Sequence, residues 1–260
     1  MTNKRHAVIP DCQVKAGVPL DHLIHAAQYI VEKKPEVIVC LGDFADMPSL
    51  SSYDKGTKAF EGRRYTQDVA VVKEAMSLFM LPIRREQARL IKNKEKQWKP
   101  RMVMLLGNHE NRIDRAVNLD PKLDGLISVK DLGYEQFGWE VIPYLQVIEI
   151  DGIAYSHFFT SGVLGRPVTT AKMLLTKHHM SCVAGHQQGR DIAYAQKANG
   201  ERLTGIISGS YYAHDEDYLN AQTNIHWRGI WFLNEVSNGS FDELPISMEY
   251  LKRRYMGDKH

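Results

Sequence analysis

Apolar residues occur along this chain in short continuous runs, and each run stops abruptly at a polar group. Ala7-Val8-Ile9-Pro10 ends at Asp11, Val37-Ile38-Val39-Cys40-Leu41 ends at Gly42-Asp43, and Met102 to Leu106 ends at Gly107-Asn108-His109-Glu110. Unbroken runs of this length are what strands buried on both faces look like. Between the first two runs, Leu20, Leu23, Ile24, Ala27, Ile30 and Val31 recur at helical spacing until Pro35 stops the pattern. Strand, polar loop and helix in repeating order predict parallel βαβ units with chemistry at the carboxyl ends of the strands.

A second helix is predicted from Val69, Val72, Met76, Phe79 and Met80, with Pro82 expected to kink it or end its first part. The second half of the chain has a different grain. Val141 to Ile150, Gly152 to Phe159, Ser181 to Ala184, Ile192 to Gln196, Leu203 to Ser208 and Ile230 to Val236 all read as strands, and only Thr169 to His179 is clearly helical. No Pro/Gly/Ser linker, internal repeat or low-complexity tract divides the chain. The expectation is one α/β domain over residues 1–260: a four-layer α/β/β/α sandwich, two mixed sheets between outer helices, with a helical basic insert at about 47–106.

Composition changes this picture little. A hydrophobic content of 43% over 260 residues is ample for a large core, and 33 basic against 31 acidic residues leave a net charge of only +2, so any affinity for nucleic acid must come from a local patch. Arg84 to Arg101 is such a patch, with eight basic residues against two acidic ones. It reads first as a solvated helix face and second as a contact surface for DNA or RNA. The opening MTNKRHAVIPD lacks the apolar core of a secretory signal, and no stretch is long and apolar enough to span a bilayer, so a cytoplasmic protein with no membrane partner is expected. Cys12, Cys40 and Cys182 have no paired spacing and read as reduced packing thiols.

The candidate chemistry lies in five polar clusters at predicted strand ends: Asp11-Cys12-Gln13, Gly42-Asp43-Phe44-Ala45-Asp46, Gly107-Asn108-His109-Glu110, Ser156-His157 and Gly185-His186-Gln187-Gln188. Singly each has a plain explanation, since a strand-end Asp often caps a helix and a lone His is usually a hydrogen-bonded structural residue. Five in this order are hard to explain that way. The set resembles the calcineurin-like metallophosphoesterases, whose pattern is Asp-x-His, Gly-Asp-x-x-Asp, Gly-Asn-His-Asp/Glu, a separate His, and Gly-His-x-His. The resemblance runs from Asp11 to Gln188.

That resemblance implies a binuclear metal-dependent phosphoesterase, a hydrolase in which a hydroxide activated by two metals attacks phosphorus. It puts Asp43 between the metals, Asp11 on the first, and Asn108, His157 and His186 on the second. His109 would then protonate the leaving oxygen, with Asp46 orienting it or capping a helix. Arg112 is either a phosphate clamp or an exposed helix-start arginine. The sequence departs from the family at Gln13 and Gln188, which stand where histidines are usual at the first metal. An amide oxygen is a harder and weaker donor than imidazole, so manganese is expected there ahead of magnesium, iron or zinc, unless Gln188 acts from behind the ligands.

These departures suggest a divergent, phage-type member. The expected substrate is a phosphate ester, cleaved by a phosphodiesterase or nuclease; the alternative is a phosphomonoesterase acting on protein or nucleotides, and the third is a non-catalytic metal-binding scaffold. His178 and His179 read as helix-end residues, and His214 as part of a solvated loop from Tyr211 to Asp217 that could also line the cleft. The oligomeric state is left open.

Overall fold

The computed structural model describes residues 4–52, 56, 60–215 and 226–256. Glu216 and Asp217 of the expected loop lie outside the described residues. The first half forms β1 (Lys4–Ile9), α1 (Asp21–Lys33), β2 (Val37–Cys40), α2 (Tyr65–Lys92), β3 (Arg101–Leu105), α3 (Asn111–Leu119) and β4 (Glu140–Ile142). It is followed by β5 (Ile148–Ile150), β6 (Ile153–Ser156), a small hairpin of β7 (Thr160–Ser161) and β8 (Arg166–Pro167), and α4 (Ala171–His178). The chain then forms β9 (Ser181–Ala184), β10 (Arg190–Gln196), β11 (Arg202–Ser208), β12 (Gly229–Ser237), β13 (Ser240–Ser247) and α5 (Met248–Met256).

Two mixed sheets result, one of six strands in the order β13-β12-β1-β2-β3-β4 and one of five in the order β10-β11-β9-β6-β5. Side chains alternate across each strand, and the packing follows that alternation. Ala7 and Ile9 of β1, and Ile38 and Cys40 of β2, face a core shared with Leu23 and Ile30 of α1, Met76 and Phe79 of α2, and Leu251 of α5. Val8, Val39, Leu41 and Val103 face the other way, meeting Tyr155, Val183 and Ile206 of the second sheet. On the far face of that sheet, Ala154, Cys182 and Ala184 pack under Ala171 and Leu174 of α4. The expected α/β/β/α layering is therefore present, and the unbroken apolar runs are explained: the central strands are covered on both faces.

Three local expectations are revised. The single strand expected over Val141 to Ile150 is two strands in different sheets, β4 beside β3 and β5 beside β6. Pro143 has no N–H to continue the ladder, and the chain crosses between the layers there. Pro82 does not end its helix: α2 runs 28 residues through it. Phe79, Met80 and Ile83 are buried on either side and secure the helix across the missing hydrogen bond. The stretch 47–106 holds α2 as the crossover between parallel β2 and β3, with α2 packed on the first core, and also β3 itself. All three cysteines are free and buried, and no helix among the described residues is long and apolar enough to cross a membrane.

Candidate metal centre

Register brings the polar clusters together. Ile9 pairs with Cys40 and Cys40 with Met104, so β1, β2 and β3 end level and Asp11, Asp43 and Asn108 follow at one edge of the first sheet. In the second sheet Ser156 pairs with Ala184, which places His157 and His186 at the matching edge. The two edges are tied by His157, whose Nδ1 lies 2.8 Å from the carbonyl oxygen of Leu41. A carbonyl only accepts, so Nδ1 carries the hydrogen and Nε2 presents its lone pair to the cleft.

That lone pair does not face a donor. His157 Nε2 is 2.9 Å from Asn108 Oδ1 and 3.3 Å from Asp43 Oδ2, and His186 Nδ1 is 2.8 Å from the same Asn108 oxygen. Ligand atoms of Asp43, His157 and His186 all lie within 4.8 Å of one another. Such a gathering of oxygen and nitrogen atoms favours a positive charge at its centre, either a proton on His157 or a metal cation. The proton alternative shows in the electrostatics: burial opposes charging, but Asp43 outweighs it and lifts His157 to about 9. His186 goes the other way, to about 4, through burial and the charge of His157. Burial also works against ionisation of Asp43, yet His109 and His157 hold it below the usual carboxylate range. Asp11, buried and beside Asp43, rises to about 7. The donor set fits a divalent cation, which would stabilise the ionised carboxylates and neutral imidazoles together.

Backbone shape supports the same centre. Asp43, His186, Gln13 and Gln188 all have left-handed backbone, with φ of 47°, 67°, 43° and 58°. Each such residue costs roughly 1–2 kcal/mol, and strain of this kind gathers at functional sites. The motif glycines are there for close approach: a Cβ on Gly107 would stand 2.4 Å from the backbone nitrogen of Asp43, and one on Gly185 would stand 2.5 Å from Asp11 Oδ1. Asp11 accepts the backbone N–H of His186 at 3.1 Å, and Gln13, fully buried, donates its own N–H to the Asp43 carbonyl at 2.8 Å. Gln188 Oε1 accepts from the Tyr212 hydroxyl at 2.8 Å.

His109 stands next to this cluster, its Nε2 3.8 Å from Asp43 Oδ2 and its Nδ1 2.7 Å from Asp46 Oδ1. Burial disfavours its charged form, but Asp43 and Asp46 prevail and raise its pKa. Asp46 itself is brought down to about 2: burial is outweighed by the hydrogen bond and charge of His109, helped by Lys15 and Arg112. Asp46 caps no helix, since the next 3-10 turn, Pro48–Leu50, has Met47 at its cap. Arg112 is not an exposed arginine either. Its side chain is 15% exposed and its Nη1 donates to the Asp46 carbonyl at 2.7 Å, while Nη2 lies 3.3 Å from His109 Nε2.

A family model for calcineurin-like phosphoesterases matches residues 5–209. The chain belongs to that family. It is thus a metal-dependent phosphoester hydrolase by descent, and the geometry above is read on that footing. No curated protein matches the chain. Among solved structures, the phosphoesterase YfcE from E. coli aligns over 94% of this chain and 99% of its own, at 10% identity and a TM-score of 0.39, a likeness too low to carry any argument.

Glu110 is the residue of this phosphoesterase that sequence reasoning left without a role. It is fully buried and accepts three backbone N–H groups, from Asp43 and Gly107 at 2.9 Å and from Ala45 at 2.8 Å, plus the Tyr134 hydroxyl at 3.1 Å. One carboxylate therefore joins the loops after β2 and β3. Its position beside His109 in the third cluster was the available signal. Lys15, 3.4 Å from Asp46, and the Tyr212 contact had no sequence signal. His178 sits at the end of α4, as expected, and His179 is its C-cap.

Proposed function

We propose that this phosphoesterase is a two-metal phosphodiesterase, with Asp43 bridging the metals, Asp11, Gln13 and Gln188 on the first, and Asn108, His157 and His186 on the second. The single observation that carries this is the cluster in which Asn108 Oδ1 lies 2.9 Å from His157 Nε2 and 2.8 Å from His186 Nδ1, with Asp43 Oδ2 3.3 Å from His157 Nε2. Bound divalent cations would supply charge neutralisation at phosphorus and a nucleophile at neutral pH, with manganese the expected ion because amide oxygens favour hard cations. His109 donates a proton to the leaving oxygen, its ring fixed by Asp46 through Nδ1. Arg112 steadies Asp46 and His109, and its guanidinium would supply a clamp for a phosphate oxygen.

A diester is favoured over a monoester by charge. Lys15 and Arg112, the cationic chains beside His109, are both engaged with Asp46. A diester brings one negative charge, whereas a monoester brings about 1.5–2 near neutral pH. The nuclease version is weaker, because it drew on Arg84 to Arg101. Arg101, the last residue of that segment, opens β3, whose other end leads to Gly107, so it lies about 17 Å of strand away from the site. Two of its eight basic residues are met locally, Arg89 by Glu86 and Glu95 and Arg101 by Glu140.

The test is a panel of phosphomonoesters, small phosphodiesters and single- and double-stranded nucleic acids assayed with manganese. Highest kcat/KM on small diesters is expected. Preference for monoesters would replace this function with a phosphomonoesterase, and bound metal without turnover of any ester would leave a metal-binding scaffold.

A further inference from the structure

The rim of the site beside His157 and His186 is made of rings. β4 runs parallel to β3, and the carbonyl oxygen of Ile142 accepts the N–H of Leu106 at 3.0 Å. The two strands end level, so Tyr144, two residues past Ile142, emerges at the same edge as Asn108, two residues past Leu106. The Tyr144 ring meets Phe158 edge-on with centroids 5.9 Å apart, and the Phe158 centroid lies 4.7 Å from that of His186 and 5.8 Å from that of His157. Phe158, 7% exposed, is the backing, while Tyr144 is only partly buried. Burial pushes the Tyr144 phenol up to about 12, with the charge of Asp43 adding to the rise and Arg115 opposing it, so near neutral pH the ring is uncharged.

The segments that follow these two rings carry exposed apolar side chains. Leu145 and Val147 lie in the loop between β4 and β5, and Val163 and Leu164 at the turn of the β7–β8 hairpin that comes after Phe158. Exposed apolar groups at the edge of a polar site mark a place for an apolar ligand group. The His109 side is of the opposite kind, lined by Asp46, Arg112 and Lys15.

We propose that Tyr144, backed by Phe158, is a specificity-determining residue whose ring receives the ester group that the diester keeps and selects apolar groups there, alkyl or aryl. The inference rests on the phosphodiesterase function proposed above. In that function the leaving oxygen is at His109, among charged neighbours, so the retained group falls to the side made of rings. A monoester has no such group to place there. Each methylene removed from water against the ring should raise kcat/KM by roughly twofold to fourfold.

The test is kcat/KM with manganese for p-nitrophenyl alkyl phosphates, methyl through butyl, which share one leaving group and differ only in the retained one. Wild type, Tyr144→Ala and Tyr144→Phe are compared, with thermal unfolding as a check that each folds. The ratio between butyl and methyl esters is read within each protein, so a general loss of activity does not enter it. Wild type should climb by roughly twofold to fourfold per methylene, Tyr144→Phe should keep the climb because it keeps the ring, and Tyr144→Ala should flatten it. A flat series in wild type overturns the proposal before any substitution is made. So does a climb undiminished in Tyr144→Ala or lost in Tyr144→Phe, or an ω-carboxyalkyl ester, the choice Arg115 would favour, that outruns its alkyl counterpart. No turnover of any diester by wild type, with monoesters cleaved, would instead overturn the phosphodiesterase function and this inference with it.

Discussion

The two sides of the site are built differently. Around Asn108, His157 and His186, the donors stand directly at strand ends of both sheets, and a main-chain carbonyl holds the His157 ring. Around Asp11, Gln13 and Gln188, one buried carboxylate is accompanied by two amides, on left-handed backbone, with Tyr212 beyond the motifs holding one of them. Left-handed backbone occurs on both sides, at His186 on one and at Gln13 and Gln188 on the other, so what sets the second side apart is its pair of amides and the contact from Tyr212. The sides share Asp43 and, beneath it, Glu110.

The strongest way to break this comparison is at the shared residue. Asp43→Ala should abolish activity and lower occupancy of both metals, because one carboxylate screens two cations from each other; elemental analysis finding two full equivalents would remove it from the bridge. His109→Ala comes next. It should keep both metals and slow turnover by about a hundred- to ten-thousand-fold, with esters of poor leaving groups hurt most. Equal losses on nitrophenyl and alkyl esters would argue against proton donation.

Glu110→Ala sharpens the comparison from below. Three backbone N–H groups and a tyrosine hydroxyl lose their acceptor, so urea unfolding should show a loss of about 3 kcal/mol, with both sides weakened together. A loss within the ordinary surface range of about 0.5 kcal/mol would show that the loops hold themselves. The smallest effect is expected at Gln13→His, which should tighten the weaker site for manganese by about tenfold and shift preference toward zinc. Two equally tight sites in the wild type, untouched by the change, would erase the asymmetry.

How much of this was legible in the chain depends on how local the cause is. The runs ending at Asp11, Asp43 and Asn108 were readable because a strand buried on both faces has no room for polar residues until it ends. The break at Pro143 was not, since whether an apolar stretch stays in one sheet depends on where the second sheet stands. β13 and α5 were missed for a related reason: Ser240–Ser247 mixes charged and apolar residues as an edge strand does, and gains its identity only by pairing with β12. The basic segment was visible as charge, but the placing of its last residue, Arg101, at the end of β3 away from the site follows from strand direction.

By itself, then, the sequence determined the family, the two-sheet layering and the residue types at the centre, because periodicity and motif order are properties of neighbours along the chain. Tertiary structure decided what each group faces. It set His157 Nε2 against two oxygens, put Arg112 on Asp46, buried Glu110 under both loops and brought Tyr212 to Gln188, contacts between residues 24 to 78 positions apart in most cases. Such contacts depend on register between strands and on the meeting of two sheets, and no local pattern encodes them.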